Sequence, residues 1–154
     1  MPRLLTRRAR WLLAAGCLAA PAAARAQYAI VVNPASSVDN LSLDQLRRIF
    51  LGQTATTPNG KPVEVAYLVP ERPTFARSVL GLPEGAVRQR WIGMVFRGEV
   101  TTPAQELNQA EQVKRFLAEH VNGVAYLRVA DADGPVKVIR VDGKKPSDDG
   151  YPVH

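Results

Sequence analysis

Two short stretches of the sequence carry side chains suited to holding a small anion. One contains Arg72 and Thr74, at the predicted start of a helix, with Arg77 one turn further on. A guanidinium, free N–H groups and the dipole at a helix N-terminus all favour negative charge. The other is the pair Ser36-Ser37, directly after a predicted strand. The sequence therefore indicates an oxyanion site with five candidate ligands: Ser36, Ser37, Arg72, Thr74 and Arg77.

Each candidate also has an ordinary structural explanation, which the sequence leaves open. Arg72 could be a solvated arginine at the start of a surface helix. The serine pair could form a polar turn that is capped by its own hydroxyl groups. Pro73, between Arg72 and Thr74, has no N–H to offer an anion.

The sequence contains no pattern that predicts catalysis or metal binding. His120 and His154 are the histidines, and they stand far apart, so no zinc-ligand spacing arises. No serine lies in a Gly-x-Ser-x-Gly elbow, and no glycine-rich nucleotide loop is present. The run 131–134 (DADG) lacks the spacing and terminal glutamate of a calcium loop, so we expect a hairpin turn there. We therefore predict a non-enzymatic protein without a cofactor.

The candidate residues follow two predicted strands. Residues 29–32 form an apolar, β-branched run that Asn33-Pro34 ends. Ser42 then begins an amphipathic helix with a capping box, because Gln45 stands three residues later, and Gly52 ends that helix. Residues 63–69 form the second strand, directly before Arg72.

The remaining pattern predicts more helices and a final pair of strands. A short helix should run to Gly81, and a second should begin at Pro83, with Phe96 in the core at its end. We expect a helix over about 104–120, strands over 124–129 and 136–141, and an irregular tail over 144–154. This order predicts an α/β fold with a mixed sheet. The helix from Pro83 should bury Val87, Trp91, Met94 and Val95.

The net charge of +6 comes mainly from the first 26 residues. That segment has a basic start, an apolar middle over 11–20, and Ala24-Arg25-Ala26 at its end, which is the pattern of a secretory signal peptide. Its apolar run is shorter than the ~20 residues that span a bilayer. A retained membrane anchor is the less favoured alternative. The rest of the chain is close to neutral, so the basic isoelectric point does not predict nucleic-acid binding.

Cys17 is the one cysteine in the sequence and lies inside this leader. A lipid anchor at Cys17 is less favoured than cleavage after Ala26, because Ala14 stands where lipoprotein signals usually have leucine. Cleavage would leave residues 27–154 without a cysteine. We therefore expect a periplasmic protein with one domain over 27–154, which is too short for two full lobes that clamp a ligand.

Four blocks of the sequence, in order, resemble the phosphate-type substrate-binding proteins of ABC transporters, and more closely their small, single-domain PstS-like members. The first block is residues 31–53 (VVNPASSVDNLSLDQLRRIFLGQ). The other three cover the chain as far as about Val141. They are Arg72-Pro73-Thr74-Phe75 with Leu80-Gly81, then Trp91 with Phe96, Gly98 and Pro103, and then Asn122-Gly123-Val124-Ala125-Tyr126.

The resemblance implies a single lobe of a type II periplasmic-binding-protein-like fold, with a mixed sheet flanked by helices. It also implies binding of a small oxyanion, phosphate first, and a partner in an ABC transporter membrane component or another envelope protein. The family's Arg-x-x-Gly-Ser-Gly-Thr loop corresponds here to Arg72-Pro73-Thr74-Phe75, which lacks the glycines. The alternative is a lobe that binds no small ligand and serves as an accessory or interaction module of the cell envelope.

Overall fold

The computed structural model describes residues 28–154. The predicted signal peptide over 1–26, its cleavage site and Cys17 lie outside these residues, so the proposed domain boundary stays a prediction. Within the described part of the chain, no helix combines the length and the apolar character needed to cross a membrane.

Residues 28–154 form seven strands and four helices. The strands are β1 (Tyr28–Val32), β2 (Asn40–Leu41), β3 (Glu64–Leu68), β4 (Gln105–Leu107), β5 (Gly123–Arg128), β6 (Lys137–Val138) and β7 (Arg140–Val141). The helices are α1 (Leu43–Phe50), α2 (Arg72–Phe75), α3 (Glu84–Phe96) and α4 (Ala110–Glu119). A 3-10 turn, Val69–Glu71, leads into α2, and a π-helical turn, Ala76–Leu80, continues it to Gly81.

The main sheet is mixed, as predicted, with the strand order β4-β3-β5-β1-β6. Strand β3 runs parallel to β4 and β5, whereas β1 runs antiparallel to β5 and β6. Strands β2 and β7 form a separate parallel pair. Every residue of β1 is buried, because the strand has neighbours on both sides and a core on its faces.

An aromatic cluster joins the sheet to the helices. The rings of Phe75 and Tyr126 stack with centroids 3.7 Å apart, and Phe50, Tyr67 and Tyr28 pack around them edge-on or tilted. Such aromatic pairs add to the stabilisation from burial alone. The cluster therefore holds α1, α2, β1, β3 and β5 against one another.

Helix α1 forms as its sequence predicts. The Ser42 hydroxyl accepts the backbone N–H of Gln45, and the Gln45 side chain accepts the N–H of Ser42. These reciprocal bonds satisfy two N–H groups that a helix start leaves free. Gly52 lies just after the helix with φ +66°, a backbone conformation that favours glycine.

The predicted helix over 104–120 is wrong in its first part. Residues Gln105–Leu107 form the edge strand β4, paired parallel with β3, and the helix begins only at Ala110. Gln109 and Gln112 form a reciprocal cap at that start. Leu107 stands at helical spacing from the apolar residues of α4, but it pairs with β3 instead. The pairing with β3, rather than the spacing, therefore decides the conformation of Leu107.

The sequence also predicted a hairpin between the strand over 124–129 and a single strand over 136–141. This prediction is wrong. Strand β5 does not pair with β6, because both pair with β1 from opposite sides. The stretch divides at the buried Ile139 into β6, in the main sheet, and β7, which pairs with β2. The connection after β5 forms a 3-10 turn over Val129–Asp131.

Helix α3 buries a narrower face than its sequence predicts. Val87 and Met94 are buried and Trp91 is half-buried, as expected. Val95 and Phe96 were predicted in the core, but Val95 is exposed and Phe96 is 87% exposed. The reason is that apolar residues occupy two sides of this helix, and only one side meets the sheet.

The tail after β7 is irregular, as predicted, yet it contributes to the core. Tyr151 and Val153 are buried, and the Ser78 hydroxyl donates to the carbonyl of His154. The last residues therefore pack onto the domain although they form no helix or strand.

Candidate functional site

The five predicted ligands lie at opposite ends of the main sheet. Val32, at the end of β1, pairs with Val124, near the start of β5. The start of β3 pairs with the same part of β5. Residues after β1 therefore emerge at one end, and residues after β3 emerge at the other. A five-residue strand spans about 16 Å, so Ser36 and Ser37 do not converge with Arg72, Thr74 and Arg77.

At the serine end, both hydroxyl groups already have partners. The Ser36 hydroxyl accepts the N–H of Val38 at 3.2 Å, and the Ser37 hydroxyl accepts the Asn59 amide at 2.9 Å. Lys137 donates to the Ser36 carbonyl and pairs with Asp39 at 2.6 Å. This arrangement matches the polar turn that the sequence left open as the alternative.

At the arginine end, the chain becomes helical earlier than predicted. The 3-10 turn Val69–Glu71 precedes α2, and the N–H of Arg72 already donates to the Val69 carbonyl. Arg72 and Thr74 therefore lie inside a continuous helical segment rather than at a helix N-terminus with free N–H groups.

Arg72 is only 5% exposed, and its guanidinium bonds two carboxylates. Its Nε and Nη2 atoms donate to Glu84 at 2.8 and 2.7 Å, and its Nη1 atom donates to Glu106 at 2.5 Å. Burial lowers the pKa of Arg72, but the two carboxylates outweigh burial and raise the pKa above its ordinary value. A phosphate at this arginine would have to displace a carboxylate.

Glu71 organises a second ionic cluster at the same end. The Tyr28 hydroxyl donates to Glu71 at 2.9 Å, and Arg128 pairs with Glu71 at 2.6 Å. Burial and the neighbouring Glu71 carboxylate raise the pKa of Tyr28 to about 12. Thr74 is exposed. The exposed Arg77 has no ion pair among the described residues.

No sequence pattern predicted the two carboxylates on Arg72. Glu84 stands 12 residues from Arg72 and Glu106 stands 34 residues away. Glu106 belongs to the segment that was predicted as helix, so its position beside β3 could not be anticipated. Recognition of β4 as a strand parallel to β3 would have placed Glu106 near the end of β3.

A cleft of about 370 Å³ lies next to Arg72, between α3 and the segment that leads into β4. The Tyr67 hydroxyl and the Trp91 indole N–H both donate to the Phe50 carbonyl, so these rings present mainly carbon atoms to the cleft. Arg88 lies on α3. The cleft is lined by Tyr67, Arg72, Val87, Arg88, Trp91, Ile92, Val95, Phe96, Pro103, Ala104 and Glu106.

Metal chemistry has no support in the described part of the chain. Residues 28–154 contain no group of three or more histidine, cysteine or acidic side chains placed to hold a metal ion. Asp133, in the run that faintly resembles a calcium loop, instead pairs with Lys114 at 2.7 Å.

No protein-family model matches the chain. Three solved structures are similar in fold. An ABC-type phosphate transport receptor from Vibrio cholerae is 21% identical, with a TM-score of 0.54 over 79% of this chain and 48% of the receptor. A putative phosphate ABC transporter substrate-binding protein with bound phosphate from Clostridium perfringens is 16% identical, with a TM-score of 0.60 over 79% of this chain and 47% of that protein. A possible phosphate-binding protein from Planctomyces limnophilus is more distant, 11% identical, with a TM-score of 0.47 over 75% of this chain and 41% of that protein.

The chain thus spans about half the length of the structures it matches. At these identities the likeness establishes the fold. The two structures with the higher TM-scores are described as a transport receptor and a substrate-binding protein, which are binding proteins rather than enzymes. The molecule has an α/β fold with a mixed sheet flanked by helices, and this fold is similar to part of these two phosphate-binding-protein structures.

Proposed function

We propose that this chain is a periplasmic, non-enzymatic binding protein that takes a small oxyanion, phosphate first, in connection with ABC-type uptake. The fold shared with two phosphate-transport proteins carries this proposal. The site would lie at the arginine end of the sheet, where Arg72, Thr74 and Arg77 follow β3. Ser36 and Ser37, at the other end, would not contribute to the same site.

The carboxylates around Arg72 decide how such a site would work. Glu106 is about half-exposed, whereas Glu84 is about one-third exposed, so water can solvate the Glu106 carboxylate more readily if it leaves Arg72. An oxyanion could therefore replace Glu106 on Arg72 while Glu84 keeps its bonds. The nearby negative charges would still repel the ligand, so we expect a Kd weaker than about 1 μM.

Replacement of Glu106 by glutamine tests this site. E106Q removes one negative charge beside Arg72 and should strengthen phosphate binding about tenfold, measured by calorimetric titration and by the phosphate-dependent rise in melting temperature. R77Q should weaken binding. E119Q is the matched control, because Glu119 is an exposed carboxylate on α4, and it should leave the affinity unchanged.

Two results would contradict the oxyanion proposal. One is the absence of any phosphate, sulfate or molybdate effect on the melting temperature of both the natural protein and E106Q. The other is equal phosphate affinity in E106Q, E119Q and the natural protein. Sub-micromolar binding by a proven monomer would contradict the expected weak affinity and the displacement of Glu106.

The second candidate function is an accessory or interaction module of the cell envelope, a lobe that binds no small oxyanion. Two observations favour it: Arg72 already bonds two carboxylates, and α3 leaves Ile92, Val95 and Phe96 exposed. If E106Q gains no phosphate affinity, this candidate becomes the better explanation.

A further inference from the structure

The structure assigns a second binding site to the cleft between α3 and β4, and we propose that its ligand is a small amphipathic anion with an apolar body and one carboxylate or similar group. This site goes beyond the proposed oxyanion function and does not depend on it. Arg72 and Glu106 form part of its wall, but its anion contact is Arg88, and it would take another class of molecule.

The size and lining of the cleft fit a small molecule. Its volume of about 370 Å³ falls within the range of ~300–1,000 Å³ that is typical of ligand pockets. The walls are apolar side chains of α3 together with Pro103 and Ala104. The polar atoms of Tyr67 and Trp91 are bonded to the Phe50 carbonyl, so these two side chains offer a ligand mainly carbon surface.

Arg88 supplies the polar end of the site. The other charged groups that line the cleft, Arg72 and Glu106, are bonded to each other. Arg88 lines the cleft as well, is exposed, and has no ion pair among the described residues. A guanidinium has five N–H donors and no acceptor. The ligand must therefore offer an acceptor, and a charged acceptor gives the strongest bonds.

The position of Arg88 on α3 favours a ligand that is apolar at one end and anionic at the other. Ile92 stands four residues after Arg88 and Phe96 four after Ile92, so the three side chains follow one face of the helix. Ile92 and Phe96 are exposed. A ligand whose anionic group contacts Arg88 can cover this apolar surface with its body.

Titration with octanoate and with octan-1-ol tests the proposal, because the two probes share a chain length and differ in charge. The full chain should carry W11F, which leaves Trp91, inside the cleft, as the one tryptophan. Octanoate should change the Trp91 emission at lower concentration than octan-1-ol. R88Q should weaken octanoate binding about tenfold and leave octan-1-ol binding unchanged. R115Q, which removes the same charge from an exposed position on α4, should alter neither.

A104L fills the cleft and should weaken the binding of both probes. The proposal is overturned if R88Q and R115Q have the same effect on octanoate, or if A104L has no effect on either probe. It is also overturned if sedimentation equilibrium shows a dimer that F96S dissociates, because a second copy would then cover this surface. The oxyanion site is tested separately with phosphate on E106Q and R77Q, and this site with octanoate and octan-1-ol on R88Q and A104L, so failure of this site and failure of the oxyanion site are distinguishable.

Discussion

The two ends of the main sheet hold their polar side chains in different ways. At the serine end, neutral groups bond the backbone of their own turn or an amide, as Ser36 does with Val38 and Ser37 with Asn59. At the arginine end, Arg72 is buried between Glu84 and Glu106, which come from other elements of the fold. Hydroxyl groups or an arginine near a strand end therefore do not define an anion site until the carboxylates around them are known.

The largest expected effect is at Arg72. R72M removes a buried cation that bonds two carboxylates and should lower the free energy of unfolding by about 2–3 kcal/mol, measured by urea denaturation. K114M is the matched control, because Lys114 also pairs with two carboxylates, Glu111 and Asp133, but both are largely exposed. K114M should lower the free energy of unfolding less than R72M does, because water screens ion pairs with exposed carboxylates. If R72M and K114M lower the free energy of unfolding equally, burial does not make the ion pairs of Arg72 more important for stability than those of Lys114.

Asn33 is a buried polar residue at the serine end. Its amide donates to the Leu117 carbonyl at 2.6 Å, and its carbonyl oxygen accepts the N–H of Ala35 at 2.7 Å. N33A should lower the free energy of unfolding by about 1–2 kcal/mol, because it leaves a buried carbonyl without its donor.

S37A is the comparison for N33A in the same denaturation assay. It removes an exposed bond to Asn59 and should cost less than about 0.5 kcal/mol. If S37A lowers the free energy of unfolding as much as N33A does, Asn33 is not the main polar contribution to stability at the serine end.

A smaller effect than in R72M or N33A, about 1 kcal/mol at neutral pH, is expected in Y28F, which removes the hydrogen bond to Glu71. The effect should depend on pH. Burial and Glu71 raise the pKa of Tyr28 from 10.0 to about 12, so the unfolded chain loses this proton first as the pH rises. The stability from Tyr28 is thus fully present below pH 10 and is lost as the pH rises to about 12.

Denaturation of Y28F and the natural protein at pH 8, 10 and 12 measures this dependence. The advantage of the natural protein over Y28F should shrink between pH 10 and 12. Other buried tyrosines affect both proteins alike. A difference that is constant across these pH values would show that the Tyr28 hydroxyl titrates as it does in the unfolded chain.

The sequence predicts the parts of the fold that depend on local patterns. The capping box of Ser42 and Gln45, the left-handed Gly52 and the apolar strands β1, β3 and β5 all form as expected. Strand β4 could not be recognised, because its three residues (QEL) are held by pairing with β3. The same long-range pairing brings Glu106 to Arg72. The sequence pattern therefore could not predict that a carboxylate offsets the charge of Arg72 at the candidate site.

Phe96 illustrates a second limit of sequence patterns. Val87, Trp91 and Met94 fall at helical spacing on α3, but Ile92 and Phe96 do so on another side of the same helix. Periodicity indicates two apolar faces and cannot say which one the sheet covers. The exposed face, and with it the cleft beside Arg88, was therefore visible only in three dimensions.

The short outer strands of the main sheet have a consequence for aggregation. Strands β4 and β6 are only three and two residues long, and they carry Glu106 and Lys137, so the open edges offer few groups to a strand from another molecule. The segment Tyr28–Val32 (YAIVV) is uncharged and rich in residues that favour strands, and it lies between β5 and β6. That segment becomes available to other chains only when its neighbours detach, so resistance to fibril formation in this protein should depend on global stability.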